Sequence, residues 1–503
     1  MAVVRIADLM ETSGVKFGTS GARGRVEDMT DRVCYAYTTA FLQHAAKAHG
    51  LARGSQVGIA GDRRPSTPRI MAACAQAIVD LGFEPVNCGL IPSPAVAFYG
   101  IRHRLPTLMV TGSHIPDDRN GIKFNTASGE ILKEDETAIR AETVSLPAGL
   151  FDARGAFTTP ALLPPEHGAA LEEYIARYTD FFPADLLAGR RIALYEHSTV
   201  ANHAFARVLS ALGAEVLKLG HSEVFIPVDT EAIRPEDIAL AKQWAHQYRF
   251  DAIVSADGDG DRPLVGDEQG NWLRGDVAGV LCARFLGVDA IVTPVSSNTV
   301  AEKSGYFHAV RRTRIGSPFV IEGMNASLDA GHACVAGYEA NGGFLLGSTI
   351  TRDSKRLDAL PTRDAIIVAL GLLGLAKQQG CTVSELSRAL PPRFTASERV
   401  KEFPTAQSAR ILAHLQQGTP GDILQRIETL FGPIAGAPKS TDTTDGLRIT
   451  FGNAEVIHLR PSGNAPEFRC YNEADSAERA AEMNRVCMEM LAAWKTRPPV
   501  STA

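Results

Sequence analysis

The pattern that most constrains the fold is a strand, turn, helix and strand unit that occurs three times along the chain. Its copies begin at Val57, Ile192 and Ile291. In the first two copies the stretch from the helix end through the second strand is nearly the same, reading "DLGFEPVNCG" and "ALGAEVLKLG". Strands that alternate with helices build parallel or mixed sheets covered by helices. The repeat therefore predicts three similar α/β domains, and the alternative is one large sheet with coincidental Leu-Gly turns.

The last part of the chain has a different pattern. After the helical stretch "TRDAIIVALGLLGLAKQQG", strand candidates occur in "GLRITFGN", "AEVIHLRPSG" and "APEFRCYNEA", followed by an amphipathic helix in "ERAAEMNRVCMEMLAAWK". This pattern predicts a smaller α+β domain. The predicted fold class is thus three similar mixed-sheet α/β domains plus a C-terminal α+β domain, with domains at residues 1–160, 161–273, 274–388 and 389–503.

Composition and charge disfavour several classes of partner. The chain has 503 residues, of which 45% are hydrophobic and 21% charged, and a formal net charge of -6. It is too long for one core, and its weak negative charge provides no basic field for nucleic acid or an anionic membrane. Eight cysteines are scattered without a C-x-x-C pair, and no window approaches about 20 uninterrupted apolar residues. We expect a cytoplasmic monomer or dimer without nucleic-acid or membrane partners.

Three aspartates alternate with glycine in the acidic loop, Asp257, Asp259 and Asp261, which follows an apolar strand in "DAIVSADGDGDRPLV". Such close carboxylates repel one another, and the glycines permit tight backbone angles, so the side chains can converge on a cation. Oxygen ligands in a compact loop suit Mg²⁺. An EF-hand would place its twelfth-position ligand at Glu268 between helical flanks, whereas here a strand precedes the loop and a hairpin follows. The remaining alternative is a solvated acidic turn.

A second loop, the serine loop of residues 111–119, follows the strand in "LMVTGSHIPDDRNGIKF". Ser113 lies beside Gly112 and His114 and near Lys123. A hydroxyl needs such neighbours to act as a nucleophile or to carry a phosphate. A Ser-His pair in a turn is also common as a structural feature, so this pattern alone leaves both interpretations open.

Two more turns could bind parts of a substrate. In the hairpin loop, residues 339–343 of "VAGYEANGGFLLG", Glu339 and Asn341 could exchange hydrogen bonds with sugar hydroxyls, although hairpins in general need Gly and Asn. In the arginine loop, residues 460–469 of "LRPSGNAPEFR", backbone amides, a hydroxyl and guanidinium groups suit a phosphate, unless the loop is a plain surface turn. No Walker A or G-x-G-x-x-G motif occurs, which disfavours nucleotide binding.

Five motifs together resemble those of the α-D-phosphohexomutase superfamily, which includes phosphomannomutases, phosphoglucomutases and phosphoglucosamine mutases. They are "KFGTSGARG", "TGSHIPDDRNGIKF", "DGDGDRP", "GYEANGG" and "RPSGNAPEFR", in the family's order and at about its spacing over nearly the whole chain. The resemblance implies three related α/β domains and a smaller fourth one around a central cleft that holds the active site. This agrees with the threefold repeat of the strand, turn, helix and strand unit.

The resemblance also implies a role for each motif residue. Ser113 would be the phosphoserine, and its phosphate would join the three aspartates as ligands of Mg²⁺. Lys123, assisted by Arg23, would manage the hydroxyl proton and the charge of the transferring phosphoryl group, and His114 follows the serine as in the family. Arg64 in "DRRPS" also matches a basic position of the family. It would bind substrate together with the other motif positions, Arg262, Glu339, Asn341, Arg460, Ser462, Gly463, Asn464 and Arg469.

The implied reaction interconverts a hexose 6-phosphate and a hexose 1-phosphate through a 1,6-bisphosphate, with a hexose 1,6-bisphosphate as activator. Three loops depart from the family's commonest pattern, reading T-G-S-H-I-P for T-A-S-H-N-P, E-A-N-G-G for E-x-S-G-H and S-G-N-A-P for S-G-T-E-P. The first two favour the phosphomannomutase-like branch. The alternatives are a phosphoglucomutase, a dual-specificity enzyme, a phosphoglucosamine mutase, a metal-dependent phosphatase or a catalytically silent sugar-phosphate-binding protein, and the intact Ser113, aspartates and Lys123 argue against the last.

Overall fold

In this computed structural model of the protein, the residues described are 2–18, 20–462 and 466–499. They form two compact units, of which the first contains Met1–Ile291 and Gly316–Ser387 and the second contains Val292–Ile315 and Arg388–Ala503. Within the described ranges, a helix with the length and hydrophobicity of a membrane span does not occur. The finer division into four domains stays a prediction.

The first α/β segment is built on a seven-stranded mixed sheet. Its elements are β1 (Ala2–Arg5), α1 (Ile6–Ser13), β2 (Lys16–Phe17), β3 (Gly21–Arg25), α2 (Asp31–His49), β4 (Gln56–Gly61), α3 (Thr67–Asp80), β5 (Glu84–Gly89), α4 (Ser93–His103), β6 (Thr107–Val110), β7 (Arg119–Thr126), β8 (Gly129–Glu130), α5 (Lys133–Ala141) and β9 (Thr143–Leu146). The sheet order is β2-β3-β7-β6-β4-β5, with β8 paired to β7, and β1 pairs separately with β9. Thr30 caps helix α2, since its hydroxyl accepts a hydrogen bond from the Val33 amide. The buried face of α2 joins one apolar core with α3 and the strands.

The second α/β segment repeats this design on a smaller scale. Its elements are α6 (Ala169–Thr179), β10 (Arg191–His197), α7 (Asn202–Ala211), β11 (Glu215–His221), α8 (Pro235–Tyr248), β12 (Ala252–Ala256) and β13 (Pro263–Gly266). Strand β10 is parallel to β11 and β12, and β13 closes the sheet antiparallel to β12. Since β12 is buried throughout and ends at Ala256, it delivers the acidic loop at the carboxyl end of the parallel strands.

The third segment continues the alternation. Its elements are α9 (Gly275–Leu286), β14 (Ala290–Pro294), α10 (Val300–Ser304), β15 (Ala309–Thr313), α11 (Ser317–Asp329), β16 (Val335–Tyr338), β17 (Phe344–Leu346), β18 (Ile350–Arg352), β19 (Lys355–Leu357), α12 (Ala365–Gln379) and α13 (Val383–Arg388). Strands β16 and β17 form the antiparallel hairpin that holds residues 339–343. Helix α12 is apolar and buried for most of its length, and the Asp364 carboxylate caps its first turn.

The C-terminal segment is an antiparallel sheet with helices and a core of its own. Its elements are β20 (Phe394–Lys401), α14 (Thr405–Leu415), α15 (Pro420–Ala435), β21 (Pro438–Asp442), β22 (Leu447–Phe451), β23 (Val456–Pro461), β24 (Glu467–Ala474) and α16 (Ala477–Trp494). The sheet order is β20-β24-β23-β22-β21. Apolar residues of the sheet pack against α14, α15 and α16. The predicted fold class, mixed α/β sheets followed by an α+β segment, is confirmed.

Candidate active site

Ser113 lies in the serine loop directly after β6. Its φ of 55° is in the left-handed region, which is uncommon for a residue with a side chain. The Ser113 amide donates to Oγ1 of Thr111 at 2.7 Å, and Ser113 Oγ donates to Oδ2 of Asp257 at 2.5 Å. The fold thus joins the serine loop to the acidic loop across 144 residues of sequence.

Arg64 holds the serine loop in place. Its two terminal nitrogens donate to four carbonyls of that loop at 2.6–3.0 Å, those of Ser113, Ile115, Pro116 and Arg119. Its Nε donates to Oδ2 of Asp62 at 3.0 Å, and a side chain at Gly112 would come within 2.5 Å of the guanidinium carbon. The resemblance assigned Arg64 to substrate binding. In the structure the guanidinium N–H groups hold the serine loop and Asp62, and substrate binding by Arg64 stays a prediction.

Replacing Arg64 by alanine is expected to lower the free energy of unfolding by about 3–5 kcal/mol, because the buried Asp62 carboxylate loses its charged partner. Urea denaturation followed by circular dichroism measures the change. The matched control is Arg63→Ala, which removes an exposed arginine from the neighbouring position. Equal stability of the two variants would contradict the role given to Arg64.

The acidic loop brings its three carboxylates together below the protein surface. Asp257 and Asp259 are fully buried and Asp261 nearly so, and one ligand atom from each lies within 4.8 Å of the others. Oδ1 of Asp257 accepts hydrogen bonds from the amides of Asp261 and Arg262. A side chain at Gly258 would come within 2.8 Å of the Ser113 carbonyl oxygen, so this glycine permits the approach of the two loops.

Two carboxylate oxygens of this loop are suited to a cation. Among the described residues, Oδ1 of Asp259 and Oδ1 of Asp261 are buried without a hydrogen-bond partner. Burial, followed by the charges of Asp259 and Asp261, raises the pKa of Asp257 well above its usual range. Buried polar atoms are normally paired, and three adjacent carboxylates need positive charge. The residues therefore fit a hard divalent cation such as Mg²⁺.

Lys123 on β7 provides positive charge beside these carboxylates. Its Nζ lies 2.6 Å from Oδ2 of Asp259 and 2.6 Å from Oδ2 of Asp261. Burial alone would lower the pKa of Lys123, but the two carboxylates outweigh it and raise the pKa. Strand register places Gly21 opposite Lys123, so Arg23, two residues further along β3, is on the same face of the sheet. Lys123 is therefore a charged ammonium with a second cation close by.

His114 and Arg262 flank the same loops. His114 Nδ1 is 3.4 Å from Ser113 Oγ, and burial together with the charge of Arg262 lowers the pKa of His114 to about 3. The imidazole is neutral at pH 7 as a result. Arg262 Nε lies 3.7 Å from Oδ1 of Asp261, which places a third cation at the acidic loop.

The hairpin loop is linked to the acidic loop by an arginine that no motif contains. Oε2 of Glu339 accepts a hydrogen bond from Nε of Arg363 at 2.6 Å, and Nη1 of Arg363 is 3.6 Å from Oδ2 of Asp261. Asn341 Oδ1 accepts from the Gly343 amide and so shapes the turn. The structure thus brings Glu339 to the cluster, while Asn341 has a turn-forming contact.

Sequence reasoning missed three polar residues of this cluster, namely Arg363, Ser93 and Glu130. Ser93, at the start of α4, donates from Oγ to Oδ2 of Asp259 at 2.9 Å. The Glu130 carboxylate accepts hydrogen bonds from the hydroxyls of Ser20, Ser317 and Thr362. None of the three belongs to a recognised motif. The only feature of the sequence that could have indicated them is that each lies at or beside the end of a strand or helix, which is common for polar residues.

The arginine loop belongs to the second unit and has its own charge pattern. Arg460 on β23 lies directly opposite Arg469 on β24, and Ser462 is buried at the end of β23. Like charges that face each other across strands are unfavourable, so this pair favours an anionic ligand. Carboxylates offset part of the charge, with Arg460 Nε 2.9 Å from Asp445 Oδ2. Gly463 and Asn464 lie outside the described residues.

Comparison with known proteins gives consistent matches along the chain. Family models described as phosphoglucomutase/phosphomannomutase α/β/α domain I, α/β/α domain III and C-terminal domain match residues 14–146, 274–394 and 395–490. A phosphomannomutase of Salmonella muenchen is 44% identical over 476 residues, covering 95% of this chain and 95% of the relative. A phosphomannomutase of Sinorhizobium fredii is 41% identical over 471 residues, covering 93% and 97%. In fold, a crystallised phosphoglucomutase/phosphomannomutase family protein of Burkholderia thailandensis aligns with a TM-score of 0.72 at 18% identity, covering 98% of this chain and 99% of that one.

Proposed function

We propose that this chain, which belongs to the α-D-phosphohexomutase superfamily, interconverts a hexose 6-phosphate and the corresponding hexose 1-phosphate, with mannose as the sugar. The observation that carries the proposal is the 2.5 Å contact between Ser113 Oγ and Asp257, because it places a nucleophile against three buried carboxylates. The choice of mannose is supported by the two phosphomannomutase relatives at 44% and 41% identity.

The cofactor we propose is Mg²⁺, which Asp257, Asp259 and Asp261 would hold. When bound, it supplies positive charge to the oxygens of the transferring phosphoryl group. Oδ1 of Asp259 and Oδ1 of Asp261, which accept no hydrogen bond from the described residues, support this assignment. Lys123, whose Nζ lies 2.6 Å from both Asp259 and Asp261, contributes charge at the same place and, with Arg23 assisting, would manage the hydroxyl proton.

In the proposed cycle the phosphoryl group leaves Oγ of Ser113 for the free hydroxyl of the hexose phosphate. The P–O bond to serine breaks as the P–O bond to the sugar oxygen forms, which produces a hexose 1,6-bisphosphate. The sugar hydroxyl gives up its proton, and the Ser113 oxygen that is set free takes up one. The other phosphate then returns to Ser113 and leaves the isomeric monophosphate. His114, whose Nδ1 lies 3.4 Å from Ser113 Oγ, would orient the serine hydroxyl. Added hexose 1,6-bisphosphate would activate the protein by phosphorylating Ser113.

The substrate would be held by groups outside this centre. We assign the phosphate that is not reacting to the arginine loop, where the facing pair Arg460 and Arg469 favours an anion, with Ser462, Gly463 and Asn464 in the same loop. Sugar hydroxyls are assigned to Glu339 and Asn341, and the reacting phosphate is assigned to Arg262.

A cytoplasmic location is supported by the eight cysteines, all of which lie in the described part of the chain and form no disulfide.

The test is a coupled assay of the purified protein with Mg²⁺ and a trace of hexose 1,6-bisphosphate. It compares mannose 1-phosphate, glucose 1-phosphate and glucosamine 1-phosphate, and we expect kcat/KM for the mannose compound to be higher by at least about tenfold, since a site built for one hydroxyl pattern rejects others. Preference for another sugar would overturn the assignment of mannose, but the proposed mutase activity would still stand. Release of inorganic phosphate in step with substrate loss, or no turnover at all, would contradict the mutase itself.

A further inference from the structure

We propose that Arg363 is a positioning residue of the hairpin loop, and that position 343 is glycine because the Arg363 side chain occupies the adjoining space. The inference rests on the proposed function, since it assigns a role within the same site. Arg363 is in none of the sequence motifs and follows Glu339 by 24 residues.

The Arg363 side chain packs directly against Gly343. A Cβ built on Gly343 would lie 2.4 Å from Cδ and 2.7 Å from Cγ of Arg363, well inside van der Waals contact. The φ of Gly343 is not positive, so backbone conformation does not require glycine here. What requires it is the arginine stem, which crosses the backbone of the hairpin loop at this position.

The guanidinium of Arg363 lies near the carboxylates of Glu339 and Asp261. Its Nε donates to Oε2 of Glu339 at 2.6 Å, and both side chains are only 5% exposed. Its Nη1 lies 3.6 Å from Oδ2 of Asp261, one of the two aspartate oxygens that Lys123 contacts. A planar guanidinium can face two carboxylates at once, whereas a lysine ammonium presents one point charge. One cation thus links the carboxylate of the hairpin loop to the acidic loop.

Glu339 keeps a free acceptor in this arrangement. Within the described ranges, its Oε2 is occupied by Arg363 and its Oε1 accepts no hydrogen bond. A carboxylate fixed by one oxygen presents the other in a defined direction, which suits the recognition of a sugar hydroxyl. Arg363 therefore acts on the substrate through Glu339.

The residues on both sides of Arg363 are fixed by buried hydrogen bonds. Thr362 Oγ1 donates to Oε1 of Glu130 at 2.6 Å. Asp364 caps α12 and accepts hydrogen bonds from the hydroxyls of Tyr174 and Tyr178 at 2.8 and 2.6 Å. Because its neighbours are fixed, Arg363 holds one geometry at low entropic cost. The hairpin loop takes its position from this rigid junction.

The first test replaces Arg363 by glutamine and by lysine. We expect R363Q to raise the KM for mannose 1-phosphate by about 10- to 100-fold with a smaller fall in kcat, because Glu339 loses a charged hydrogen bond that orients it. R363K keeps the charge and should recover part of the loss. The matched control is R356Q, which removes an exposed arginine paired with Asp358 and should keep the wild-type KM.

The second test replaces Gly343 by alanine, which leaves every charge in place but displaces the arginine stem. We expect G343A to raise the KM as R363Q does, and the double variant to be no worse than R363Q alone, because both changes remove one interaction. The matched control is Gly168→Ala, at a position where a Cβ would meet nothing within 4 Å.

The outcomes separate this inference from the proposed function. If the wild-type protein turns over none of the hexose phosphates, the proposed function fails. If the wild type is active and both R363Q and G343A keep its KM, the positioning role is overturned and the function stands. Loss of thermal stability with an unchanged KM would also overturn it, as would additive effects in the double variant. Should R363Q not fold, R363K and G343A decide by the same criteria.

Discussion

Replacing Ser113 by alanine is expected to lower turnover by at least about a thousandfold, because the proposed cycle carries the phosphoryl group on the Ser113 oxygen and alanine has no atom to accept it. The fold should remain. The change removes the hydrogen bond from the buried Ser113 hydroxyl to Asp257, which lowers the free energy of unfolding by about 1 kcal/mol. The coupled assay gives the turnover, and circular dichroism checks the fold.

The matched control for this change is Ser128→Ala, which removes an exposed serine hydroxyl from the turn between β7 and β8. It should leave both turnover and phosphorylation of the protein unchanged. An S113A variant that works at a rate close to that of the wild type would contradict a phosphoserine mechanism, whatever the role of the acidic loop.

Replacing Asp259 by asparagine is expected to lower activity by at least about a hundredfold and to raise the Mg²⁺ concentration needed for half-maximal activity. The amide has nearly the same size as the carboxylate, so the change chiefly removes charge. It takes one proposed ligand from the metal and one ion-pair partner from Lys123, whose Nζ lies 2.6 Å away. A Mg²⁺ titration of activity measures the effect, and calorimetric titration with Mg²⁺ measures binding without turnover.

Asp353→Asn is the control for that prediction. Asp353 is exposed and has a φ of 50°, a backbone conformation that asparagine tolerates well. Its Mg²⁺ titration should match that of the wild type. If D259N also matched the wild type in both titrations, the acidic loop would be an ordinary turn and not a metal site.

The fold could be predicted where the pattern is local. Strand β12 is a short apolar run before "DGDGD", and α12 is an apolar stretch between Asp364 and Gly380, so both were evident from sequence alone. The order of strands within each sheet was not evident, because it depends on contacts between segments far apart. The antiparallel entry of β7 between β3 and β6, which brings Lys123 beside the acidic loop, is of this kind.

The candidate site could be predicted where a motif groups several polar residues. Ser113 and Asp257 each belong to such a motif, and the structure brings them together. Arg64 was also singled out, but its engagement with four backbone carbonyls could not be foreseen, because a sequence does not show which donors a fold will use. In sequence, Arg363 in "PTRDA" is like any arginine near the start of a helix. Its packing against Gly343, which places it in the candidate site, is seen only in the structure.

The most direct test of the central claim follows the phosphoryl group itself. The protein is incubated with mannose 1-phosphate whose phosphate carries heavy oxygen, and the peptide that contains Ser113 is then analysed by mass spectrometry. The account predicts labelled phosphate on Ser113 after turnover, because the phosphate of the substrate returns to the serine in the second transfer. Turnover with Ser113 unlabelled or unphosphorylated would contradict it.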